Sequence, residues 1–220
     1  VFFNANSNGL FPHIIYNNVS RTKLDPDANL MDGAQGNSYA NQSYGTYHSY
    51  LQTAIDSVEA NFDSGILLNL VEHDNATQQF ELGYLLSENE LNLSDTELNT
   101  GYSTLSSIGQ VSSISPATFA EVIRGYGSLG SFLFGASYNG YTFNAVPRVD
   151  APTISSDQYF SGGYTLTTYS KERWGEINAI EVATPYSGFR DNANAYRAVG
   201  VVLEEATKNF YQEHTGISLY

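Results

Sequence analysis

Cysteine is missing from the chain altogether, so neither a disulfide nor a thiolate nucleophile or metal ligand can contribute. Basic residues are scarce: nine Lys and Arg stand against 23 Asp and Glu, a formal charge of −14. A surface of that sign repels nucleic acid and anionic lipid, which excludes both as partners and leaves cations or basic groups. No apolar run approaches the roughly 20 residues that cross a bilayer, so no membrane span is expected. Imidazole is also rare, with only His13, His48, His73 and His214 in 220 residues. The opening Val1-Phe-Phe-Asn-Ala-Asn has no basic stretch and no room for an apolar one, so a secreted form is expected to have lost its leader.

What is present is tyrosine, asparagine, serine and a full complement of apolar residues. Seventeen tyrosines and twelve phenylalanines sit in a length that supports one core, and neither a repeat nor a linker divides it. A single domain over residues 1–220 is expected. Four Asn-x-Ser/Thr sequons, at Asn18, Asn41, Asn75 and Asn92, carry no blocking proline. They mark glycosylation acceptors and point to a secreted, extracellular protein with N-linked glycans.

Apolar spacing of three and four over 41–62, from Tyr44 through Leu51, Ile55 and Val58, predicts an amphipathic helix. The run 66–71, broken only by Asn69, predicts a strand buried on both faces. Helix followed by buried strand is the order of an α/β sheet. Short strands are expected at 13–16, 164–169 and 177–182, and a loop over the polar stretch that follows Arg21. Ser115-Pro116 reads as the start of a helix running towards Ile123. Residues 125–161 read as mostly irregular, and a closing helix over 192–214 presents Tyr196, Val199, Leu203, Ala206 and Phe210.

The densest polar cluster, Glu72-His73-Asp74-Asn75, follows the buried strand, where α/β sheets place ligand sites. His73, Glu72 and Asp74, with Glu81 nearby, are candidate metal donors. The plainer reading, a solvated loop whose acids face water, is the stronger one on spacing alone, because no second histidine is close. No Gly-x-Ser-x-Gly elbow follows a strand. Gly125-Tyr-Gly127-Ser-Leu-Gly130 imitates a dinucleotide fingerprint but follows a helix, so it reads as a turn. Tyr138, Tyr141, Phe143, Tyr159 and Phe160 lie in irregular sequence and are candidates for a contact surface.

Several blocks in fixed order carry a resemblance: PHIIYNNVSRTKLDPDAN at 12–29, AQGNS at 34–38, GILLNLVEHDNATQQFELGYLLS at 65–87, SLGSFL at 128–133, YFSGGYTLTTYS at 159–170 and INAIEVATP at 177–185. Together they resemble the N-formylglutamate amidohydrolase-like family over nearly the whole chain. The resemblance implies a three-layer α/β sandwich, with a mixed, mostly parallel sheet between helices. It also implies a divalent metal such as zinc and a carboxylate base acting on an amide. Arg21 and Tyr164 fall at substrate-binding positions of that frame.

Against the family's pattern this chain departs at several roles. Where the family resembles Asp-x-His-Gly-His-Gly-His, only His73 remains, and Val71 occupies the implied ligand position. Ser20 replaces a histidine near the start, and Thr168 with Tyr169 replaces arginine and histidine. Ala183 stands at the implied general base, although Glu181, two residues earlier on the same strand face, could substitute. The resemblance also implies a further stretch ahead of Val1, so a cleaved N-terminal fragment is an expected partner.

The expectation is therefore a non-catalytic secreted glycoprotein, a pseudoenzyme used for binding or self-association and requiring no cofactor. Two alternatives stand beside it. One is a divergent metal-dependent amide hydrolase working with Glu72, His73 and Asp74 and with Glu81 and Glu181 as its catalytic carboxylates. The other is a small-molecule binder in the vacated pocket.

Overall fold

A computed structural model describes residues 12–62, 64–153, 159–171 and 177–219. Asn29 opens a one-turn helix α1 (Leu30–Ala34), its side chain accepting from the Met31 and Asp32 N–H groups. Asn37 does the same for α2 (Ser38–Asn61). Strands β1 (Gly65–Glu72) and β2 (Phe80–Gly83) follow. Two single turns, α3 (Glu88–Leu91) and α4 (Asp95–Leu98), each begin with a serine capping box in which Glu90 or Glu97 answers the cap. Then come α5 (Gly109–Ile114), α6 (Phe119–Arg124), α7 (Leu129–Leu133) and the short strands β3 (Ser137–Tyr138), β4 (Tyr141–Thr142) and β5 (Ala145–Val146). The turn α8 (Tyr164–Leu166) continues into a π-helical turn over Thr167–Lys171. Strand β6 (Ile177–Thr184) and helix α9 (Ala193–Thr215) close the chain.

The main sheet has the order β1-β6-β2-β5. β1 runs parallel to β6 along its whole length, β2 runs parallel to β5, and β2 and β6 are antiparallel. Helices cover both sides, giving the expected three-layer α/β sandwich with a mixed, mostly parallel sheet. One face, with Leu68, Ile180, Val182, Phe80 and Leu82, packs on α9 residues Ala198, Val202, Leu203, Ala206 and Phe210 in the main core. The other carries Leu67 and Ile177 against Leu51 and Ile55 of α2 and Tyr169.

Several local expectations are corrected by tertiary structure. Residues 13–16 pair with no strand among the described residues. The stretch after Arg21 holds α1, because Asn29 supplies a cap that outweighs its polar composition. Thr118, rather than Ser115, caps α6; Ser115 ends α5 instead. Residues 164–169 are helical, with the Thr167 and Ser170 hydroxyls donating to the Gly163 and Leu166 carbonyls four residues back. The strand buried on both faces is β6, all eight of whose residues are buried, whereas β1 lies at the sheet edge with Leu70 59% exposed. Phe143 and Tyr159 turn inward: Phe143 packs its ring edge-on and tilted against Phe189 and Phe80, and the Tyr159 hydroxyl donates to the Leu82 carbonyl. Phe143 is thus core, while Tyr138, Tyr141 and Phe160 are half-buried.

Candidate functional site

Strand register brings together residues that are far apart in sequence. Asn69 of β1 lies opposite Glu181 of β6, and Gly83 of β2 lies opposite Glu181 on the other side. Glu81 lies opposite Ala183. Because alternate residues share a face, Asn69, Glu181, Ala183, Glu81 and Gly83 line one side at the carboxyl end of β1 and β6. Open α/β sheets keep their ligand crevices at that end.

Two carboxyl groups are therefore sunk in the sheet, Glu181 0% and Glu81 1% exposed. The Asn69 amide donates to Glu181 Oε2 at 2.8 Å, and the Asn75 amide donates to Glu81 Oε1 at 2.7 Å. Their second oxygens, Glu181 Oε1 and Glu81 Oε2, are buried with no partner. A third orphan is Asp27 Oδ2. Asp27 reaches the site from the loop before α1 and accepts from the Thr165 N–H through Oδ1 at 2.8 Å. Burial, then the negative charge of Asp27, push the Glu181 carboxyl up to about 8, against the Asn69 hydrogen bond and the Arg21 charge. Glu181 consequently keeps its proton at neutral pH.

A roof closes this face. The backbone of Phe160 and Ser161 crosses Gly83 so closely that a Cβ there would lie 2.6 Å from the Phe160 carbonyl oxygen. Gly163 lies against the Asp27 carboxylate, where a Cβ would fall 2.1 Å from Oδ2. Beyond Asp27, His48 of α2 sits among four tyrosine rings, Tyr44, Tyr47, Tyr164 and Tyr169. His48 Nε2–H donates to the Pro26 carbonyl and Nδ1 accepts from the Tyr169 hydroxyl, which makes the ring a neutral brace; burial holds its pKa below the usual histidine value.

No protein-family model, curated protein or solved structure matches the chain.

The predicted site residues separate into two groups. Glu181 and Glu81 converge in the sheet. Glu72, His73 and Asp74 do not join them as a donor set. Glu72 is exposed and paired with Arg190 at 2.6 Å, and Asp74 faces solvent. His73 is 8% exposed, donates through Nε2 to the Gln79 carbonyl at 2.9 Å, and accepts through Nδ1 from the Asn75 N–H at 3.2 Å. Both ring nitrogens are spent pinning the β1–β2 connection. Among the described residues no three His, Asp or Glu are placed to share a cation. A zinc ion of the kind the resemblance implies does not fit this arrangement: Val71 and Ala183 offer no donor, and His73 has no lone pair to spare. Arg21 is exposed and bonded to Asp25 at 2.7 Å, acting on Glu181 only through its charge. Tyr164 stands at the rim, its backbone N–H on the Asp27 carbonyl.

Three of the sequon asparagines, Asn18, Asn41 and Asn92, are exposed. The expectation at Asn75 is corrected, because that residue is 8% exposed and its amide nitrogen is committed to Glu81. A glycan on that nitrogen would break the bond and bury sugar in the sheet. Sequence reasoning passed over Asp27 and Asn69. Asn69 had a signal, since a lone amide inside an apolar strand requires a polar partner. Asp27 had none, because its role depends on a fold that returns residue 165 to it.

Proposed function

We propose that the protein is a secreted, N-glycosylated domain, built on the frame of N-formylglutamate amidohydrolase-like proteins, that serves in binding or assembly rather than hydrolysis. The observation that carries this reading is His73. Of the histidines in the resembling motif it alone remains, and both of its nitrogens hold backbone groups rather than facing a common centre with other donors. Two further features support it. A carboxyl that keeps its proton to about pH 8 makes a poor general base at neutral pH, and Glu181 has no contact with solvent. The exposed Asn18, Asn41 and Asn92 are open to glycans.

The test is turnover. Purified protein is offered a panel of N-formyl, N-acetyl and longer N-acyl amino acids with added zinc, cobalt or iron, with and without chelator. No hydrolysis above background is expected. Hydrolysis that disappears with chelator and in His73→Ala overturns the reading in favour of a divergent metal-dependent hydrolase.

A further inference from the structure

The roof over the carboxyl site lies on a concentration of unsatisfied groups. Among the described residues eight buried side-chain polar atoms lack a partner, and five belong here: Asp27 Oδ2, Glu81 Oε2, Glu181 Oε1, Thr165 Oγ1 and Thr168 Oγ1. Each such atom has lost its water without gaining a partner, so closure is opposed locally. Among the contacts that oppose opening are Leu85 N–H to the Ser161 carbonyl at 2.7 Å, Tyr164 N–H to the Asp27 carbonyl at 3.2 Å, Thr165 N–H to Asp27 Oδ1, the Tyr169 hydroxyl on His48, and the burial of Leu166 and Tyr169. The segment bends at Gly162, whose φ of 132° lies in the region that favours glycine, and ends in a π-helical turn.

We propose that residues 160–171 form a proton-operated latch, closed over the sheet while Glu181 is neutral and lifted when Glu181 ionises. A neutral Glu181 supplies one O–H donor in a place where every neighbouring orphan is an acceptor or a hydroxyl. An ionised Glu181 instead adds a second negative charge beside Asp27, with the buried Glu81 on the same face. Among the described residues the cation acting on it is Arg21, already bonded to Asp25. Lifting the latch returns water to all three carboxyl groups and exposes Asn69, Glu81 and Glu181 together.

The buried rings around this cluster stay neutral over the upper part of that range. Tyr159, just ahead of the latch, and Tyr44 and Tyr47 on α2 are pushed upward by burial, and His48 is pushed downward by burial. Above about pH 6.5 the three tyrosines and His48 therefore stay neutral, and Tyr164 at the rim contributes a backbone bond.

Hydrogen exchange resolved by residue tests the latch in the intact chain. After correction for the base catalysis of exchange, protection of the Tyr164 and Thr165 amides is expected to fall about a hundredfold between pH 5.5 and 7.5, following the proton lost on opening. The Ile180 and Val182 amides in β6, which open only with the whole fold, should stay far better protected than Tyr164 and Thr165 at every pH. In Glu181→Gln the Tyr164 and Thr165 values should stay flat. Asp27→Asn, which keeps an acceptor for Thr165, should reduce the fall and level off at lower pH. Flat protection in the wild type, or an equal fall in Glu181→Gln, overturns the proposal. So does equal protection of Tyr164, Thr165, Ile180 and Val182 at every pH, since that reports global rather than local opening. If Glu181→Gln does not fold, the comparison with Asp27→Asn decides: identical pH profiles in Asp27→Asn and wild type overturn the latch.

Discussion

Replacing Glu181 by glutamine should stabilise the protein at alkaline pH and leave it nearly unchanged in acid. The carboxyl titrates near 4.5 in the unfolded chain and near 8 in the folded one, chiefly because it is buried and secondly because Asp27 is close. Between those values the folded state keeps a proton that the unfolded state has lost, so its contribution to stability is complete below about pH 4.5, declines as pH rises and is gone above about 8. At about 1.4 kcal/mol for each pH unit the full decline is up to about 5 kcal/mol. Glutamine preserves the shape, and its carbonyl can still accept from Asn69, while nothing remains to ionise. Urea unfolding of both proteins at half-unit steps from pH 4 to 9 gives the difference directly, and other titrations cancel between the two. The variant should gain on the wild type from about pH 4.5 and level off near pH 8. For a domain of this size that plateau corresponds to a midpoint about 10 °C or more above the wild type. A difference that stays constant with pH, or that shrinks as pH rises, refutes the assignment of a neutral buried Glu181.

Other consequences are local. Arg124 is 7% exposed and bonds the Leu91 and Leu93 carbonyls as well as Asp95, so Arg124→Ala should cost about 3 kcal/mol in urea unfolding by releasing the turns α3 and α4. Gly83→Ala would drive a methyl group into the Phe160 and Ser161 backbone, and a loss of about 2 kcal/mol or more in thermal unfolding is expected. Peptide mapping of material from a secretory host should find glycan at Asn18, Asn41 and Asn92 and an unmodified Asn75. Asn75→Ala should destabilise by about 2 kcal/mol, because it strips Glu81 Oε1 of its donor.

The long elements were legible because their signals are periodic and repeated. Helix α2 and helix α9 follow from apolar spacing, and β1 and β6 from short strand-like runs. Length in sequence did not reveal which of the two apolar strands was central. That depends on sheet order, and β1 ended at the edge. Short elements were misread where one capping side chain decides the outcome, as at Asn29 and Thr118. The turn joining β3 and β4 carried a readable Asn139-Gly140 signal, both residues having positive φ, but the density of glycine around it obscured the hairpin. At the site, Glu181 and Glu81 could be placed on one face from alternation alone. Their closeness to Asp27 could not, because it arises from a segment of residues 160–171 folding back more than 130 positions in sequence.

The role of His73 offers the most direct test of the account, through zinc titration followed by the nitrogen resonances of its ring. The ring is expected to keep its Nε2–H on the Gln79 carbonyl and its Nδ1 on the Asn75 N–H, and its resonances should not move as zinc is added. Saturable one-to-one zinc binding that displaces that proton, and that is lost in His73→Ala, would contradict the reading of His73 as part of the frame and restore a metal centre at the end of β1.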